Sequence, residues 1–243
     1  MLPLDSPVWN DLECARGSAG HIPALIRRVC DPSLLESEVK ASWAEVWENL
    51  CHSDSVYAAT YAAVPHLACV LKGNLDSRLE LLLFSGRVLG FGRLVGKPLS
   101  VKLVEGFSQV VDKIAAESAA IVREAREQNL LTRYPSTQLI QSTLALNFGC
   151  DPVVQLIQSI IDDNLEIEVV CPGCDDPNKV LVDELQSADT NVETSADDDS
   201  VTAGMTLANE LGDVSLEKRI ATLRSTVKCK SCDVEFAMYD GYV

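Results

Sequence analysis

The chain has 243 residues, 47% hydrophobic and 23% charged, which is enough apolar material for one large domain or two small ones with a buried core. Its 20 basic and 36 acidic side chains give a net charge of −16, which excludes a nucleic-acid or anionic-membrane binder working through a broad basic surface and favours a basic partner. No stretch reaches the roughly 18 uninterrupted apolar residues of a membrane span, and Met1-Leu2-Pro3-Leu4-Asp5 lacks a signal-peptide pattern. With nine cysteines, an odd number, this predicts a cytoplasmic protein with reduced thiols or metal ligands rather than a disulfide framework.

Residues 1–164 read as a helical body. Leu35, Val39, Trp43, Val46 and Leu50 recur at spacings of four and three, the stripe by which an amphipathic helix meets a neighbour. A second helical run covers Ser55 to Leu71, with Pro65 removing a backbone donor and bending or restarting it. Further helices are predicted over Ser77–Leu94, Leu99–Asn129, Ser136–Asn147 and Pro152–Asp162, separated by Gly, Asn or Pro signals. In the long one, Leu103, Phe107, Val110, Ile114, Ser118, Ile121 and Ala125 keep one face. Gly90, Gly92 and Gly96 form no phosphate-binding pattern, because the spacing is too long by one and no strand precedes them; they predict close packing or a turn.

The N-terminal part repeats itself. Trp9-Asn10-Asp11-Leu12 matches Trp47-Glu48-Asn49-Leu50 at an offset of 38, and Ile22-Pro23-Ala24-Leu25 matches Val64-Pro65-His66-Leu67 at an offset of 42. A period near 40 with paired helices is the pattern of HEAT-type units, which bury their apolar faces by stacking, so a short curved α-solenoid is expected. The segment from Trp47 to Leu67, with His52, Tyr57, Ala59, Thr60, Ala63, Val64 and Pro65, resembles a bacterial HEAT-like family that carries His-Gln-Gly-Thr-x-Tyr-x-Ala-Thr-x-x-Ala-Val-Pro. Ser53-Asp54-Ser55 stands here in place of Gln-Gly-Thr, and the likeness covers about the first 75 residues. Such proteins are similar to immunity partners of secreted bacterial toxins, and the resemblance implies that role.

Residues 165–243 are different in kind. Leu165 to Val170 alternates like a half-exposed strand and runs into Cys171-Pro-Gly-Cys174, with Lys179–Val182 as the return strand; Thr226 to Tyr239 repeats the pattern around Cys229-Lys-Ser-Cys232. Cys171, Cys174, Cys229 and Cys232 are candidate ligands of one structural zinc, since a C-x2-C turn aims two thiolates at one ion. A β-hairpin unit that retains its cysteines without metal, and a redox or disulfide use, are the alternatives. The 54 residues between the pairs must loop out, and the polar tract Gln186 to Thr202, with Asp197, Asp198 and Asp199, predicts a flexible insert around 186–202. One short helix is expected over Leu216–Arg224, and the two β segments are expected to share one sheet.

Residues 1–150 hold 16 acidic and 14 basic side chains and residues 151–243 hold 20 and 6, so the acidity lies in the last third. Two readings follow for Asp175, Asp176, Asp183, Glu184 and Asp197 to Asp199: a solvated face, or a surface that meets a basic toxin, such as a nuclease. Cys14, Cys30, Cys51, Cys69 and Cys150 read as buried small hydrophobes, and His21, His52 and His66 show no zinc-pair spacing. Cys51-His52 and the carboxylates are the sole catalytic candidates, and an enzyme is not expected. The expected function is an immunity protein that occludes a cognate toxin without touching nucleic acid or membrane; a HEAT-type scaffold with a zinc ribbon is the alternative, and a homodimer is left open.

Overall fold

The computed structural model describes residues 1–151, 154–157, 166–181 and 199–238. It is mainly helical with small sheets, and backbone contacts divide it into two compact units, Met1–Tyr134 and Pro135–Val243. The division falls ahead of the 164/165 boundary suggested by sequence. Residues 135–150 contain no charged side chain, so the charge count divided at 150/151 comes out the same at 134/135.

The first unit opens with a 3-10 turn, Pro7–Asp11, that buries Trp9. A tight hairpin follows, β1 (Glu13–Cys14) against β2 (Gly17–Ser18), and then α1 (Ile22–Val29). The next copy runs α2 (Glu36–Leu50), β3 (Cys51–His52) against β4 (Ser55–Val56), and α3 (Ala58–Leu67). Both strands of the second hairpin lie 38 positions beyond those of the first, so the offset of the two Trp segments carries through the turn. The change to 42 arises between hairpin and helix. Four residues separate Ser18 from Ile22 and eight separate Val56 from Val64, an addition of about one helical turn at the start of α3.

Thr60 secures this junction. Its hydroxyl accepts from the Tyr57 amide at 3.0 Å, capping α3, and donates to the Leu50 carbonyl at the end of α2. Pro65 lies inside α3 and supplies no amide for an i→i−4 bond, and two residues later the α-helix gives way to a 3-10 helix over Ala68–Lys72. Asn74 caps α4 (Leu75–Phe91) by accepting from the Ser77 amide at 2.8 Å. Strand β5 (Arg93–Leu94) then pairs parallel to β4, and Gly96, at φ +91°, makes the turn that leads toward α5 (Val101–Glu127). Within this unit α1 packs on α2 and α3, α3 on α5, and α4 on α2 and α5. Trp43, Phe84, Leu79, Ile114 and Ile121 are buried in the resulting core, with Trp47 meeting Phe84 edge-on at 5.0 Å.

The second unit begins with α6 (Ser136–Phe148), and residues 154–157 are also helical. Its β6 (Glu166–Val170) pairs with β7 (Pro177–Leu181), and β8 (Thr226–Lys228) with β9 (Glu235–Ala237), both antiparallel. Between them lie α7 (Asp199–Leu211) and α8 (Val214–Ala221), followed by a 3-10 turn, Thr222–Arg224. Helix α7 packs against α6 and α8. Gly204 allows the approach, because a Cβ there would meet the Leu144 and Ile220 side chains at 3.3 and 3.4 Å.

Two expectations are corrected here. The β segments form two separate two-stranded sheets, each closed by its own ladder, and Val169 and Phe236 sit in different ladders of one unit. The insert does not extend to 202 as a polar tract: α7 starts at Asp199, and Ser200 and Val201 are buried. The remainder of the predicted insert, residues 186–198, lies outside the described residues, as does most of the helix expected over Pro152–Asp162.

Candidate metal centre

The two hairpins of the second unit present the same turn. Strand β6 ends at Val170, and Cys171 donates its amide to the Asp176 carbonyl at 3.0 Å while its carbonyl accepts from the Asp175 amide at 2.9 Å. Fifty-eight positions later Cys229 does the same with the Val234 carbonyl and the Asp233 amide, at 2.9 and 3.1 Å. Asp175 and Asp233 each adopt φ +59°, a left-handed position that Asp tolerates better than most residues. In each turn an amide also points at the first sulfur, Gly173 N at 3.3 Å from Cys171 Sγ and Ser231 N at 3.4 Å from Cys229 Sγ.

The turns interleave their thiols. Cys171 Sγ lies 3.6 Å from Cys232 Sγ, Cys174 Sγ lies 3.6 Å from Cys229 Sγ, and all four sulfurs fall within 4.8 Å of one another. A tetrahedron of sulfurs about 2.3 Å from a central zinc has edges of about 3.8 Å, whereas a disulfide needs about 2.05 Å. The four predicted ligands therefore form one cluster of metal-binding dimensions.

Electrostatics within the cluster are uneven. The Cys229 thiol is held down to about 6, chiefly by the Ser231 amide and further by the Cys232 amide, with burial opposing. Cys174 is pushed up to about 12: the Asp176 amide alone would lower it, and sharing protons with Cys232, burial and contact with Cys229 and Cys171 outweigh that amide. Four adjacent thiols cannot all ionise without a compensating cation, and a dication removes that conflict.

Asn178 on β7 was not foreseen from sequence. It is 3% exposed and lies between the two turns: Oδ1 accepts from the Lys230 amide at 3.0 Å, and Nδ2 donates to the Asp176 carbonyl at 2.9 Å and toward Cys229 Sγ at 3.7 Å. Aligning the two Cys motifs in the sequence would have exposed it, because the equivalent position in the second hairpin is Phe236.

Of the proposed partner-facing acids, Asp175 and Asp176 are exposed in the first turn, beside the cysteine cluster. Asp199 opens α7, and Asp183, Glu184, Asp197 and Asp198 lie outside the described residues.

The other cysteines divide. Cys14 and Cys51 are buried as expected. Cys30 and Cys69 form a disulfide with Cα atoms 6.1 Å apart, which corrects the reading of both as reduced buried thiols: α1 and α3 pack together, and each helix is followed closely by one of the pair. Cys150 is exposed, two residues past the end of α6, and is likewise not a core residue. Cys51 and His52 are successive residues of β3, so they point to opposite sides, one buried and one exposed. Burial foremost, with the Asp54 charge, pushes the Cys51 thiol up to about 11, the opposite of an activated nucleophile. His21 meets Asn49 Oδ1 at 2.9 Å and His66 Nε2 meets the Leu2 carbonyl at 2.7 Å, both structural ties.

A cleft of about 460 Å³ in the first unit lies between the N-terminal segment and the start of α5, with Leu2, Pro3, Val8, Leu12 and Leu103 among its walls and Lys97, Lys102, Asp11 and Glu13 around it. Among the described residues, no helix is long and apolar enough to cross a membrane. No family model, no curated protein and no solved structure matches the chain.

Proposed function

We propose that this protein is a non-catalytic binding protein of the immunity type, which occludes a toxin with a basic, nuclease-like active site, and that its second unit is held together by a structural zinc. The observation that carries this reading is the placement of charge: residues 135–243 hold 20 acidic and 6 basic side chains, and residues 1–134 hold 16 and 14. An acidic surface steers a basic partner into contact and raises the association rate. Four thiolates would fill a tetrahedral zinc and leave no position for substrate water, so the centre supports structure rather than hydrolysis. The acidic first turn, with Asp175 and Asp176 exposed beside the cysteines, is then fixed in shape by the metal.

The test is binding of purified basic nuclease toxins at two salt concentrations, with protection of toxin-expressing cells as the functional readout. Reversing Asp175, Asp176, Asp183 and Glu184 together should slow association, weaken its salt dependence and reduce protection. Unchanged rate, salt slope and protection would contradict the acidic surface as the site.

The alternative, a HEAT-type scaffold, is favoured by one specific observation. In the first unit α1, α3 and α5 pack in succession and α2 packs on α4, while the hairpins repeat at an offset of 38. This is the order of contacts expected of a short α-solenoid. A scaffold would bind its partner through the helical array, and the fourfold reversal would leave that binding intact.

A further inference from the structure

We infer that Asn178 is a positioning residue of the cysteine centre, tying the two hairpins together and donating to the Cys229 thiolate, so that it governs how tightly the metal is held. This rests on the reading of the four cysteines as a metal site.

The two hairpins share no β ladder, so the sheet network does not fix one turn against the other. Asn178 does so through its side chain. Its Oδ1 accepts from the Lys230 amide, inside the Cys229-x-x-Cys232 turn, while Nδ2 donates to the Asp176 carbonyl of its own turn. The same Nδ2 lies 3.7 Å from Cys229 Sγ, within reach of a long N–H···S bond. A buried amide is costly unless its polar atoms are satisfied, and here both are engaged.

The near-twofold likeness of the turns sharpens the inference. The backbone bonds, the left-handed Asp and the amide-to-sulfur contact recur in both, yet the position equivalent to Asn178 is Phe236. The hairpin itself therefore does not require a polar residue at this place. What distinguishes Asn178 is its contact with the opposite turn, and it gives Cys229 a donor in addition to the Ser231 amide. Groups that hydrogen-bond metal ligands in this way typically account for roughly 10–100-fold in metal affinity.

The experiment compares the full-length protein with Asn178→Leu, which keeps the branched shape and the number of side-chain heavy atoms and removes every polar contact, and Asn178→Asp, which keeps an acceptor for the Lys230 amide and loses the amide donor. Metal content of the unaltered protein and its titration with Co(II) come first, because failure to bind there refutes the metal site itself and not the role of Asn178. With that binding in hand, the expected result is a roughly 10–100-fold weaker Co(II) affinity in Asn178→Leu. A shifted sulfur-to-cobalt charge-transfer band is expected in both variants, since both lose the donor to Cys229. Wild-type affinity in Asn178→Leu would overturn the inference. So would weakened affinity with an unshifted band in both variants, which would make Asn178 a fold-stabilising residue with no bond to the thiolate.

Discussion

The two compact units differ in what holds them. In the first, Trp9, Trp43 and Phe84 are fully buried, helices pack on two or three neighbours each, and β pairing is confined to strands of two residues. In the second, α6, α7 and α8 provide an apolar cluster, but the two hairpins are isolated two-stranded sheets of five-residue and three-residue strands. Such sheets are marginal by themselves. Their turns meet at four sulfurs and one buried amide. The difference teaches that apolar burial organises the first unit, while in the β part of the second two sheets that share no ladder meet through side-chain links between their turns.

Removing one of those cross-links should have the largest effect. Cys171→Ser leaves three thiolates and is expected to abolish stoichiometric zinc, with a loss of more than about 5 kcal/mol of linked folding free energy, given that structural zinc in small domains is worth roughly 10–16 kcal/mol. Zinc analysis and a chelator-dependent melting curve check this; a variant that melts like the unaltered protein would break the contrast between the units.

Phe84→Ala addresses the other side of the comparison. Phe84 is fully buried against Trp43 and Trp47, so its truncation should cost about 3–5 kcal/mol and leave zinc stoichiometry at its original value. Denaturant unfolding, followed in the presence and absence of chelator, measures both.

The smallest effect concerns protons. Burial foremost holds His66 below its usual 6.5, helped by the nearby N-terminus and Arg27 and opposed by its bond to the Leu2 carbonyl. The unfolded chain therefore takes up a proton before the folded one, so stability is complete above pH 6.5 and declines as pH falls below it toward the folded value. The slope cannot exceed about 1.4 kcal/mol per pH unit for one proton. His66→Gln, which can still donate to Leu2, should flatten the melting profile between pH 7.5 and 5.5; an unchanged slope would remove His66 as its cause.

The same contrast explains what the sequence disclosed. Helices with a long stripe were readable: the faces from Trp43 to Leu50 and along Phe107, Ile114, Ser118 and Ile121 are buried as the period predicts, whereas Leu35, the first member of its stripe, precedes α2 as its N-cap and is exposed. The hairpins between helices were not, since two-residue strands such as Cys51–His52 are too short to show alternation. Helix α7 was missed because the polar tract before it was read as running through Thr202, although Val201, Gly204, Ala208 and Leu211 recur at helical spacing. The four clustered cysteines were legible because a C-x2-C pair is a local signal. Their division between separate sheets, the Cys30–Cys69 bond and Asn178 depend on proximity in space, which spacing does not encode.

Hydrogen exchange on the full-length protein supplied with zinc, before and after chelation, tests the central contrast most directly. The account predicts that amides of residues 166–181 and 226–238 lose protection when the metal is withdrawn while those of α3, α4 and α5 keep theirs. Equal protection of the hairpins with and without metal, or equal loss in both units, would contradict it.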